Sequence, residues 1–243
     1  MGRWLLVVLA GCGRIAFDPL GDGGVIVGDG ATLGDGRVSD AGLLAYYKLD
    51  DLPGDGVLDS TGNGHNGVCA AGCPGVGSLA KVGTASYDFN GSSTYIEIVD
   101  APDLHPAELT VACWVNVRTQ GPHGFVQKPL GAGAEDSWEL FVDPSGLIGV
   151  CVRSSCAYSS AQIPTNSWHH IAFVAVASTQ QLYVDGVAEV QSASTLDWDG
   201  NDLLIGADID NGTPIWYVDG RIDDIRIYGR ALAAAEIAAL AAQ

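Results

Sequence analysis

Residues 109–117, Leu-Thr-Val-Ala-Cys-Trp-Val-Asn-Val, place Leu109, Val111, Cys113, Val115 and Val117 at every second position, and no other feature constrains the fold as much. A period of two belongs to a strand that buries one face. A second run, Trp168 to Val176, alternates Ile171, Phe173 and Ala175 with Ala172, Val174 and Val176. It is apolar on both sides toward its end, as a central strand is. Leu182-Tyr183-Val184 and Val187-Ala188-Glu189-Val190 flank Asp185-Gly186, a hairpin signal, because a type I′ turn needs positive φ at both central positions. Further strands are expected at 43–49, 86–90, 94–99, 124–128, 138–142, 147–152, 203–206 and 219–228. Only 233–242, alanine-rich with Ile237 and Leu240 spaced for one face, reads as a helix. Roughly a dozen short strands separated by turns specify an all-β, two-sheet antiparallel sandwich with one short C-terminal helix, a single domain over 43–243.

Composition agrees. Thirty-three glycines and one methionine favour turns and strands. With 47% hydrophobic and 16% charged residues the chain is no disordered polyanion. Acidic residues outnumber basic ones 29 to 11, for a net charge of −18. Such a surface repels phosphate backbones and excludes nucleic acid as a partner.

The chain opens with one positive charge at Arg3, an apolar run from Trp4 to Ala10, and Leu9-Ala10-Gly11-Cys12. The run falls short of the ~20 residues that span a bilayer. It resembles a bacterial lipoprotein signal, cleaved before a cysteine that is then lipidated, so residues 1–12 are expected to export the chain to the cell envelope. The outer membrane is the expected place, with Cys12 as the membrane anchor. An ordinary secretory signal is the alternative. Residues 13–42, with Gly21-Asp22-Gly23, Gly28-Asp29-Gly30 and Gly34-Asp35-Gly36, read as a flexible acidic tether. Their spacing of seven and then six residues departs from the steady nine of calcium-binding β-roll repeats.

From Leu43 onward a family resemblance accumulates in order. Leu44-Ala45-Tyr46-Tyr47-Lys48-Leu49-Asp50 and Asp59-Ser60-Thr61-Gly62-Asn63-Gly64 are similar to the opening of laminin G-like, concanavalin A-like jelly rolls. Tyr87-Asp88-Phe89-Asn90-Gly91 with Tyr95-Ile96-Glu97-Ile98, the 109–115 strand, Trp168-His169-His170-Ile171-Ala172 and Tyr183-Val184-Asp185-Gly186 follow. Gly220-Arg221-Ile222-Asp223-Asp224-Ile225-Arg226-Ile227-Tyr228 resembles the closing strand. The resemblance implies a jelly roll used for adhesion or carbohydrate recognition. It also implies a rim calcium held by Asp50, the Asn90-Gly91 turn and Asp223, since first and last strands of a jelly roll are neighbours. The competing reading leaves Asp50 and Asp223 as strand-end residues in water, paired with Arg221 or Arg226.

His169 and His170, adjacent on a strand, point to opposite faces and are not expected to share a zinc. Export permits disulfides. With Cys12 lipidated and Cys113 on an apolar face, four cysteines allow three pairings, and the short loops favour Cys69–Cys73 and Cys151–Cys156. Retaining glycoside hydrolysis needs two carboxyls about 5–5.5 Å apart. Glu135, Asp136 and Glu139 are the acidic residues nearest one another that include glutamate, and they read as a solvated strand start, so no catalytic residue is assigned. Binding remains. Asp197-Trp198-Asp199-Gly200-Asn201-Asp202 and Asp208-Ile209-Asp210-Asn211-Gly212 with Trp216-Tyr217 combine aromatic faces with carboxylates and amides, which suit sugar hydroxyls. Trp198, Asp208, Asp210, Asn211 and Trp216 are the expected ligand-binding residues, and the 59–66 loop has a similar composition. The expectation is a non-catalytic, cell-surface recognition module for glycan or protein. Its rivals are a glycoside hydrolase acting through Glu135 or Glu139 and a purely structural envelope component.

Overall fold

The computed structural model describes residues 38–51, 56–69 and 71–243. The signal, Cys12 and residues 13–37 of the expected tether lie outside them. The strands are β1 (Leu43–Tyr47), β2 (Gly67–Cys69), β3 (Gly75–Gly77), β4 (Ser86–Asn90), β5 (Ile96–Ile98) and β6 (Glu108–Val117). They continue with β7 (His123–Leu130), β8 (Glu135–Val142), β9 (Leu147–Val152), β10 (Ser155–Gln162), β11 (His169–Val176) and β12 (Thr179–Val184). Last come β13 (Val187–Ala193), β14 (Leu203–Ile205), β15 (Asp208–Asp210), β16 (Thr213–Ile215), β17 (Asp219–Tyr228) and the helix α1 (Ala234–Ala241). One sheet runs β13-β12-β11-β6-β17-β4-β3, with β1 also on β17; the other runs β10-β9-β8-β7-β14-β5-β2. All pairings are antiparallel, and the two sheets form the expected jelly-roll sandwich.

The alternation in β6 explains the core. Val111, Cys113 and Val115 face inward with Ile171 and Phe173 of β11 and meet Phe125, Trp138, Leu140, Ile148 and Val150 of the opposite sheet. Each large side chain taken from water contributes about 1.5–3 kcal/mol. β11 is apolar on both sides because its other face is also covered: Ala172 and Val174 pack with Ile237 and Leu240 of α1. The Asp185-Gly186 turn has φ of 50° and 78°. A Cβ on Gly186 would lie 3.1 Å from Ala238 Cα, so the glycine supplies the turn and admits the helix together.

β1 lies against β17, with Leu43 opposite Tyr228 and Tyr47 opposite Ile225. Packing extends upstream of Leu43, since Val38 is buried and Arg230 donates to the carbonyls of Ser39 and Ala41. Both expected disulfides, Cys69–Cys73 and Cys151–Cys156, are present, and Cys113 is a buried free thiol. His170 is buried edge-on to Trp114, while His169 pairs with Asp185 at the strand end.

Candidate functional site

The seven-stranded sheet has a second face, away from the core. Cα pairing sets out one row across it: Cys156, Cys151, Glu139, Gln127, Leu204, Glu97 and Val68. Over the middle of this row lies a small ribbon, β15 paired with β16. Asn211 and Gly212 close it with φ of 51° and 74°, the geometry of a type I′ turn. The ribbon is seated by Gly124 N–H donating to Trp216 O and by Gln127 Nε2 donating to Asp208 Oδ1 at 2.7 Å.

On one side of the ribbon is a cleft of about 450 Å³. Leu204, Ile209 and Pro129 are the apolar part of its wall, and Glu97, Asn201, Asp202 and Asn211 the polar part, with the turn Gly131-Ala132-Gly133 at one edge. Both loops singled out by composition converge here and clamp that turn. Asn211 N–H donates to Gly133 O, Asn201 Nδ2 to Gly131 O, and Gly131 N–H to Asp199 Oδ2. From below, the buried Lys128 ammonium pairs with Asp100 at 2.9 Å and donates to the carbonyls of Asp199 and Asn201. A lysine in mid-strand carries no sequence signal for this role.

Of the expected ligand residues, Asn211 lines the cleft and Asp208 and Asp210 belong to the ribbon. The two tryptophans do not join them. Trp198 stacks on His105, ring centroids 5.2 Å apart, and packs against the core. Trp216 leans on Phe141, which meets Tyr158 edge-on, and it lines a more open depression with Asn90, Gly91, His123 and Asp219. Gly149 lies beneath Phe141, where a Cβ would come within 2.3 Å of the ring. The 59–66 loop spends its polar groups on itself: Asp59 accepts from the amides of Tyr46, Thr61 and His65.

The four residues expected to hold a rim calcium do not converge. Asp50 and Asp223 do reach one loop from two sides. Asp223 Oδ2 accepts the amides of Lys81 and Val82, and Asp50 Oδ1 those of Thr84 and Ala85. Asn90, however, pairs with Asp219, four residues and so about 13 Å along β17 from Asp223, and its side chain caps its own turn. Neither Arg221 nor Arg226 pairs with these aspartates among the described residues; they reach Asp88 and Asp224.

A carboxylate cluster appears where a solvated strand start was expected. Asp136, Glu139 and Asp208 offer oxygens within 4.8 Å of one another, a set that could hold a metal ion. Asp136 is 7% and Asp208 4% exposed. The cause is a bulge: Lys128 lies opposite Trp138 but Pro129 opposite Asp136, so Ser137 is extra and Asp136 turns to the same side as Glu139. Proline has no N–H for the ladder, and that was the available signal. Burial, then the charges of Glu139, Asp208 and Asp210, push Asp136 up to about 9. Burial and the ribbon aspartates push Glu139 up to about 8. Burial and Asp210 raise Asp208 to about 6, against hydrogen bonds from Ile209 and Gln127. Glu135 stays exposed and pairs with Arg153.

No curated protein matches the chain. Solved structures share its fold at low identity. Domain 4 of AbnA, a GH43 extracellular arabinanase from Geobacillus stearothermophilus solved with arabinotriose, is 22% identical at a TM-score of 0.63, covering 82% of this chain and 98% of its own. Trypanosoma rangeli sialidase in complex with sialic acid is 16% identical at a TM-score of 0.65, over 83% of this chain and 33% of its own. The binding domain of Paraclostridial Mosquitocidal Protein 1 is 15% identical at a TM-score of 0.62, over 83% of this chain and 52% of its own. The chain thus spans nearly all of the arabinanase domain but a third of the sialidase. A family model described as the concanavalin A-like lectin/glucanases superfamily matches residues 90–238, and the chain belongs to that superfamily.

Proposed function

We propose that this protein is a non-catalytic recognition module that binds glycan in the cleft beside the β15–β16 ribbon. The observation that carries the reading is the lining of that cleft. Carboxylates and amides at Glu97, Asn201, Asp202 and Asn211 stand beside an apolar wall. Sugars have the matching character, hydroxyls at the ring edge and C–H groups on the face, and the volume lies in the range of ligand clefts, ~300–1,000 Å³. Relatives of the fold solved with arabinotriose and with sialic acid support the same chemistry and choose the first probes. A printed array that includes arabino-oligosaccharides and sialylated glycans, run with and without calcium, tests it. The wild-type chain is expected to bind a subset, and Asn211→Ala to weaken that binding about tenfold, as loss of a hydrogen-bonding group does. A blank array together with capture of one protein partner would favour protein recognition instead.

Turnover is the second reading, and one observation favours it: Asp136 and Glu139 have the raised carboxyl pKa values of a general acid. Against it, neither lines the cleft. Reducing-sugar release abolished by Glu139→Gln would establish hydrolysis.

The module is carried at the cell envelope by a lipid on Cys12. This rests on Leu9-Ala10-Gly11-Cys12 and agrees with two disulfides in the domain. Labelled palmitate is expected in the wild type and absent from Cys12→Ala.

A further inference from the structure

We infer that Asp136, Glu139 and Asp208 bind one hard divalent cation of the calcium class, which ties the β15–β16 ribbon to the seven-stranded sheet. Three carboxylates share a space no wider than 4.8 Å between ligand oxygens. That span is about twice a calcium–oxygen distance of 2.3–2.6 Å, and an all-oxygen donor set selects a hard cation. Among the described residues no lysine, arginine or histidine pairs with any of the three, and the nearby Arg153 is taken by Glu135 and Asp197.

A second observation comes from outside the cluster. Gln127 is fully buried and its Nε2 donates to Asp208 Oδ1, yet its carbonyl oxygen has no donor among the described residues. Asp136 Oδ1 is likewise buried with no donor among them. Buried acceptors are almost always satisfied. An ion among these oxygens answers the lone pairs and the charge at once. Asp136 and Glu139 come from β8 and Asp208 from the ribbon, so the ion joins these two elements, with Gln127 of β7 holding Asp208 in place. The ion pocket is separate from the glycan cleft, and either assignment stands without the other.

The test uses the full chain stripped with EDTA, then calcium added alone, read by native mass spectrometry and thermal melting. The wild type is expected to take up one ion per chain at calcium of about 1 mM or less, the range of extracellular modules, with a higher melting temperature. Glu139→Gln keeps the shape and removes a charge. It is expected to weaken calcium at least tenfold while melting above the wild type in EDTA at pH 8.5, which also shows that it folds. Asp50→Asn is expected to bind calcium as the wild type does. No bound ion in the wild type, unchanged affinity in Glu139→Gln, or loss of the ion in Asp50→Asn would each overturn the assignment.

Discussion

Two groups of buried or half-buried carboxylates stand on opposite faces of the sandwich and meet different fates. At the rim of the eight-stranded sheet, Asp50 and Asp223 hold the 81–85 loop by its backbone amides. Burial opposes ionisation of Asp50, but the amides of Thr84 and Ala85 outweigh it and keep the carboxyl below its ordinary range. On the seven-stranded sheet, burial first and then the like charges around them lift Asp136 and Glu139 to about 9 and 8. The lesson is that burial raises a carboxyl and its neighbours, N–H dipoles or other carboxylates, then oppose or add to that rise. Asp223 lies between the extremes: desolvation lifts it to about 7 although two amides of the loop support it.

The comparison can be broken in order of expected effect. Asp223→Ala strands the amides of Lys81 and Val82, and chemical denaturation should show a loss of about 3 kcal/mol, because a buried donor left unsatisfied costs ~1–3 kcal/mol. A smaller loss would mean that water replaces the carboxylate. Gly83→Ala should cost about 2 kcal/mol, the scale of a strained left-handed residue. Gly83 has φ of 72°, and an added Cβ would lie 2.4 Å from an Asp50 carboxylate oxygen.

Asp50 and the carboxylate cluster should also titrate in opposite directions. Asp136, Glu139 and Asp208 have folded pKa values above their unfolded ones, so between about pH 4 and 9 the folded state holds more protons. Stability in EDTA is therefore greatest at the acid end of that window and falls as pH rises through it. Asp50, with its lowered pKa, contributes stability that is lost only as pH drops below about 4. Melting curves in EDTA across this range separate the two. The smallest effect is a gain: at pH 8.5 without metal, Glu139→Gln should stabilise the chain by about 1 kcal/mol, the size of one removed repulsion.

What was legible in the sequence was local. The period of two in 109–117, the Asp185-Gly186 turn and the short cysteine loops each act over a few residues, and each appears in the fold. The pairing of first and last strands came through the family resemblance and is present as β1 against β17. The candidate site was half legible. Composition identified the loops that bound the cleft, because sugar-like polarity is a property of the loop itself. It gave no sign that Trp198 and Trp216 pack on His105 and Phe141, partners remote in sequence. The carboxylate cluster depends on a bulge opposite Pro129 and on a ribbon folding back 70 residues later, neither of which spacing along one strand reveals. Asn211-Gly212 between two short β-prone segments was the local signal for that ribbon.

The central claim is where a ligand sits. An isotopically labelled chain, titrated with its strongest oligosaccharide from the array, reports this residue by residue through amide chemical shifts. The account predicts shifts at Gly131–Gly133, Asn201, Asn211 and Gly212 that saturate together. Shifts confined to the Trp216 depression, or to the face beneath α1, would contradict it.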